Sequence, residues 1–158
     1  MSEADKDFMR RAIELAQRGM GSNAGGPFGC VIVKEGRIVG EGWNRVTSDN
    51  DPTAHAEVVA IRDACTRLSS FQLTGCKVYT SCEPCPMCLG ALYWARPEAI
   101  FFAANRDDAA YGGFDDDFIY KELERPIGER TIPLANLLPD EGRALFDEWL
   151  KKTDKTTY

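Results

Sequence analysis

The segment Ser81-Cys82-Glu83-Pro84-Cys85-Pro86-Met87-Cys88 constrains this chain more than any other. An apolar, β-prone run ends there and a helical one begins. Pro84 and Pro86 mark the junction, because proline suits a first helical turn, where its missing N–H leaves no bond unmade. Residues three apart on a helix share a face, so Cys85 and Cys88 can grip one ion. A helix N-terminus also favours thiolates, the form a metal needs. Upstream, His55-Ala56-Glu57 holds the only histidine of the chain. His55, Cys85 and Cys88 make three protein ligands for one zinc per chain, and that count leaves a fourth place open for water, as a catalytic zinc requires.

Zinc lowers the pKa of a bound water from about 16 toward about 7. Some group must then accept and redeliver the proton, and Glu57 is the candidate. Residues two apart point to different sides of a regular helix. His55 is therefore expected in the first turn, with Glu57 approaching the water and not the metal. A closed structural zinc site would need a fourth ligand, Cys82 or Cys76, and would leave Glu57 without a task. Cys82, Cys85 and Cys88 also mimic the start of an iron–sulfur run, but Leu92 stands where that run wants its fourth cysteine. A lone CxxC near strand–helix units can be a thioredoxin-like redox pair. The His-x-Glu argues against that reading.

With 158 residues, 44% of them apolar, the expectation is one domain, 1–158, with a real core. The net charge of −6 argues against a nucleic-acid partner held through phosphates. No apolar stretch is long enough to cross a membrane, and the acidic start Met1-Ser2-Glu3-Ala4-Asp5 does not read as a signal peptide. A cytoplasmic protein with reduced thiols is expected, with Cys30, Cys65 and Cys76 as ordinary core residues.

Helical spacing predicts a helix over 5–20, and Gly19 to Pro27 reads as a tight loop without a phosphate-binding signature. Phe28 to Lys34 and Arg37 to Trp43 read as a hairpin turning at Glu35-Gly36. A polar loop over 44–54 should lead, through Thr53 as N-cap, into a helix over 55–68. Cys76 to Ser81 reads as a strand, Cys85 to Ala95 as a helix stopped before Pro97, and Ala99 to Ala103, apolar throughout, as a buried strand. This order predicts parallel pairing through crossovers and a three-layer α/β/α domain on a mixed five-stranded sheet. Ile132 to Leu134 would supply the last edge strand. Residues 105–123 are acidic and carry no assigned helix. Residues 140–152 form an amphipathic helix with Leu145, Phe146, Trp149 and Leu150 on one side.

The pair His-x-Glu and Pro-Cys-x-x-Cys, in that order and each at a helix start, is the signature of zinc-dependent nucleobase deaminases. On these motifs the chain resembles the cytidine-deaminase superfamily. Gly26-Pro27-Phe28-Gly29, Asn50 to Glu57, Tyr93 to Pro97, Gly113-Phe114-Asp115-Asp116 and the terminal Tyr158 make it similar to the bacterial guanine deaminases within it. The resemblance covers nearly the whole chain. It implies hydrolytic deamination at guanine C2, giving xanthine and ammonia in purine catabolism, with Glu57 as the proton carrier and a small purine base as partner. It further implies that Asn44 and the backbone around Ala56 read polar edges of the base, that Phe28 and His55 flank its faces, and that Trp94 closes one wall. Asp116 would meet N–H groups of guanine, and the backbone carbonyl of Glu83 the leaving amine. It favours a homodimer in which the C-terminal helix and tail, about 140–158, are swapped so that Tyr158 completes a partner's site; a frayed end is the plain alternative for Tyr158. Guanosine, cytosine and adenosine in tRNA remain rival substrates, and a non-catalytic zinc-stabilised binding protein a rival class.

Overall fold

A computed structural model describes residues 1–158. The elements are α1 (Glu3–Gly21), β1 (Gly29–Lys34), β2 (Arg37–Trp43), α2 (Val46–Asp49), α3 (Ala56–Leu68), β3 (Cys76–Cys82), α4 (Pro86–Ala95), β4 (Ala99–Ala104), α5 (Arg106–Tyr111), α6 (Asp117–Glu124) and α7 (Pro139–Lys151). They form two compact units, Met1–Asp116 and Asp117–Tyr158.

In the first unit the sheet runs β2-β1-β3-β4. The hairpin turns where expected, with Glu35 and Gly36 both at positive φ (50° and 73°), as a two-residue turn demands. Side chains alternate between the faces of the sheet. Val31, Val33 and Tyr79 pack with Ala12 and Leu15 of α1, whereas Cys30, Ile32, Cys76 and Val78 pack with α3 and with Leu92 and Ala95 of α4. The three-layer α/β/α architecture is therefore present.

The sheet has four strands, not five. Ile132 to Leu134 form no strand and are exposed; Pro133 has no N–H to give to a ladder, and three residues are too few to repay it. Without a fifth strand β4 is an edge, and it is only half covered, with Phe102 48% exposed. Pairing is also less parallel than expected. Both neighbours of β1 are antiparallel to it, and only β3 and β4 pair parallel, joined by α4.

Local capping explains the shifted ends. The Ser2 hydroxyl accepts the Asp5 N–H (3.2 Å) and the Asp5 carboxylate accepts the Ser2 N–H (2.6 Å), so α1 begins at Glu3. Thr53 does not cap α3: its hydroxyl donates to Asp51 (2.7 Å), and His55 takes the cap position. The polar loop contains the short α2, and the acidic stretch contains α5 and α6. Asn105 and Asp108 form a second capping box that starts α5. All six cysteines are free, Cys30 and Cys76 buried and Cys65 partly so. No helix is long and apolar enough to cross a membrane.

The second unit holds α6, a 3-10 turn at Ile127–Glu129, and α7. Within it Glu122 accepts the Thr131 N–H (2.6 Å) and pairs with Arg125 (2.6 Å). On α7, Leu145, Phe146, Trp149 and Leu150 are exposed.

Two glycines let α3 lie directly on β2. A Cβ on Gly42 would stand 2.3 Å from the Ala56 carbonyl oxygen and 2.6 Å from the Ala60 nitrogen, and one on Gly40 would stand 2.6 Å from the Ala60 oxygen. Backbone cannot yield as a flexible side chain can. Gly42→Ala is expected to cost about 1–3 kcal/mol, read as a lower thermal unfolding midpoint. Gly21→Ala, where a Cβ meets nothing within 4 Å, serves as the neutral control.

Candidate active site

The site grows from the register of the sheet. Cys30 of β1 stands opposite Thr80 of β3, so residues just before β1 lie beside those just after β3. The open end of the hairpin closes there as well, the Asn44 N–H donating to the Phe28 carbonyl (3.0 Å). At this end β3 passes into α4, and the loop after β2 passes into α3. Carboxyl ends of parallel strands and the N-termini of the helices that follow them are where α/β folds bind ligands.

His55 and Cys85 both occupy N-cap positions, with extended backbone outside their helices. That removes the difficulty of two functional residues two apart: His55 precedes α3, while Glu57 lies within its first turn. Cys85 caps α4 in the manner of a serine, its Sγ accepting the Cys88 N–H (3.5 Å). The His55 Nδ1 stands 3.6 Å from Cys85 Sγ and 3.5 Å from Cys88 Sγ, and all three ligand atoms lie within 4.8 Å of one another. Zinc bonds of about 2.1 Å to nitrogen and about 2.3 Å to sulfur, at a tetrahedral angle, would place N and S about 3.6 Å apart. The donor set and its spacing therefore fit zinc.

The electrostatics agree. The thiol of Cys88 donates toward Cys85 and, with His55 beside it, holds the Cys85 thiol down to about 4; the same contact together with burial pushes Cys88 upward. Neighbouring thiols oppose each other's ionisation, so the second proton is the harder one to remove. A dication held by His55, Cys85 and Cys88 would favour both thiolates, coupling metal binding to proton release. The Cys85 thiolate also raises the pKa of His55, against the effect of burial.

Glu57 is 6% exposed. Burial raises its pKa, opposed by hydrogen bonding to its own backbone and to the Cys88 thiol. Its Oε1 accepts the Thr80 hydroxyl (3.2 Å). Beside it opens a cavity of about 260 Å³ lined by Phe28, Asn44, His55, Glu57, Glu83 and Asp116 among others. Asn44 accepts the N–H groups of Gly26 (3.3 Å) and Val46 (3.1 Å) at Oδ1, which fixes its amide and leaves its nitrogen to donate. Glu83 accepts the Arg106 N–H (3.1 Å) and gives its own N–H to Ala104 (2.8 Å). Burial raises the pKa of Asp116.

Residues 2–104 match the family model described as the cytidine and deoxycytidylate deaminase zinc-binding region. The chain belongs to the cytidine and deoxycytidylate deaminase family. It is 56% identical to the guanine deaminase of Bacillus subtilis (strain 168) over 151 residues, 96% of this chain and 97% of that protein. A crystal structure of guanine deaminase from Bacillus subtilis superposes with a TM-score of 0.94, covering 97% of this chain and 98% of the other. A guanine deaminase from Nitrosomonas europaea is 30% identical with a TM-score of 0.66, covering 92% and 84%. The tRNA-specific adenosine deaminase of Aquifex aeolicus (strain VF5) is 36% identical over 92% of this chain and 93% of its own.

Of the residues expected at a deaminase site, this cavity gathers His55, Glu57, Cys85, Phe28, Asn44, Glu83 and Asp116, and Cys88 lies beneath it. Ala56 is buried in the core, so only its backbone is available. Trp94 is not part of the cavity. It is 65% exposed, because Cys88, Leu92 and Ala95 form the inward stripe of α4 and Trp94 lies about 240° around from Cys88. Tyr158 belongs to the second unit. Sequence reasoning gave no role to Thr80, or to Phe114, whose ring meets Phe28 edge-on at 4.9 Å. Thr80 had a signal: it alternates with Cys76, Val78 and Cys82 on the core-facing side of β3, where a hydroxyl needs a partner.

This family's zinc chemistry is checked by elemental analysis and turnover together. About one zinc per chain is expected, and His55→Ala should lose metal and activity. Glu57→Gln should keep the metal and lose turnover about 10²- to 10⁴-fold.

Proposed function

We propose that this chain is a zinc-dependent guanine deaminase, hydrolysing guanine to xanthine and ammonia. The observation that carries the reading is the pairing, in one cavity beside the His55–Cys85–Cys88 cluster, of a carboxylate acceptor and an amide donor, Asp116 and Asn44. Guanine offers N–H groups to the first and ring or carbonyl acceptors to the second. The 56% identity to a guanine deaminase over nearly the full length supports the same substrate.

His55, Cys85 and Cys88 would hold the metal. When bound, zinc supplies a water acidified toward neutral pH. Glu57 takes a proton from that water and passes it to the ring nitrogen next to C2. It then carries a second proton to the amine, which leaves as ammonia. Phe28 packs a face of the base, Asn44 and the Ala56 backbone read its polar edges, and the Glu83 carbonyl accepts from the departing amine. Asp116 accepts guanine N–H groups in a site with little water, where a charged acceptor counts most. The tRNA-adenosine alternative suits the net charge of −6 poorly. The test is ammonia release from guanine, guanosine, cytosine and adenosine. Guanine should be preferred, and Asp116→Asn should weaken its use sharply by raising KM. Preference for guanosine or cytosine would overturn the substrate assignment and leave the family intact.

The working form in this reading is a cytoplasmic homodimer in which the C-terminal arm crosses between subunits and Tyr158 excludes water from a partner's cavity. The exposed apolar side of α7 supports it. The check refolds two inactive variants together: Glu57→Gln with an intact tail, and a chain that keeps Glu57 but lacks its last residues. One site in each mixed dimer then holds both Glu57 and Tyr158, and activity is expected to return. Mixed dimers that stay inactive would place the tail on its own chain.

A further inference from the structure

Thr80 is 1% exposed in the middle of β3, and its hydroxyl donates to Oε1 of Glu57 at 3.2 Å. The fold does not need that hydroxyl. Thr80 stands opposite Cys30 and shares its face with Cys76 and Val78, all buried and apolar. Valine has nearly the same shape, an equal preference for strands, and no polar group to bury. Its cost in an apolar setting is offset only by the bond to Glu57.

A carboxylate that moves protons between two places has two oxygens and free rotation about its last torsion. Rotation exchanges the oxygens and loses alignment with the proton's donor and acceptor, and such misalignment is costly in rate. The hydroxyl of Thr80 comes from the rigid centre of the sheet, on an element that is not part of α3 or α4. It therefore fixes the Glu57 carboxylate against the frame of the fold, independently of the metal ligands.

We propose that Thr80 is a positioning residue for deamination, its hydroxyl pinning Oε1 of Glu57 so that Oε2 is the oxygen that carries the proton. This rests on Glu57 being the proton carrier. Binding of the base is not touched, so the effect belongs in kcat.

The experiment uses the zinc-loaded full chain and guanine. Thr80→Val is expected to lower kcat about 10- to 100-fold, the worth of a hydrogen bond to a charged group, with KM and zinc content near those of the wild type and the chain still fully folded at the assay temperature. Thr80→Ser, which restores the hydroxyl, should return kcat to within a few-fold. In the Glu57→Gln background, Thr80→Val should cause no further loss, because its partner's function is already gone. Wild-type kcat in Thr80→Val overturns the proposal. So does a loss that tracks zinc content or the folded fraction, failure of the variant to fold, or an equal loss in the Glu57→Gln background. Glu57→Gln with wild-type turnover would instead overturn the proton-carrier reading itself.

Discussion

One imidazole nitrogen lies 3.5–3.6 Å from two cysteine sulfurs, and the rest of the first unit is arranged to make that possible. Three such donors converge only if their backbones are held from different directions. His55 and Cys85 are both cap residues, fixed on one side by a loop and on the other by a helix. The two helices aim their N-termini at one point, and their dipoles favour the negative charge that thiolates bring. α3 reaches its position because Gly40 and Gly42 let its backbone lie on β2. α4 reaches its own through the parallel β3–β4 pair that it connects.

Much of this was legible in the residues. His-x-Glu and Pro-Cys-x-x-Cys identified the cluster, because metal ligands must be specific side chains at specific spacings. The hairpin was legible because Glu35-Gly36 admits the backbone a tight turn needs. The fifth strand was not: apolar character at Ile132 and Leu134 outweighed the missing N–H of Pro133. The helices α5 and α6 were hidden because acidic residues serve equally as first-turn caps and as loop surface; the Asn105–Asp108 pair distinguishes them only once its reciprocal bonds are seen.

Depth separates the two cavity carboxylates whose pKa values burial raises. Glu57, nearly closed off, meets the thiol of a cluster ligand and a strand hydroxyl. Asp116 is less deeply set and lines the cavity with Phe114, at the end of the first unit. In the proposed reaction the inner group would move protons and the outer one would read N–H donors. Under the proposed function, one functional group, the carboxyl, would serve two roles through its surroundings. Asn44 complements Asp116 as a donor, because two backbone N–H groups occupy its oxygen.

The second unit raises the opposite question, since it has apolar residues and almost no interior. Leu145, Phe146, Trp149 and Leu150 lie along one side of α7 and remain exposed. Burying a large apolar side chain is worth about 1.5–3 kcal/mol, so such a stripe is a strong driving force left unspent in the single chain. Contiguous apolar surface of this kind marks an interaction site. The edge strand β4, with Phe102 exposed, is a second uncovered surface. A second copy carries both features at matched stoichiometry, and a two-fold pairing would use each surface twice in a closed assembly. In the proposed homodimer, the surface that covers α7 and the site that receives Tyr158 would belong to the same partner subunit.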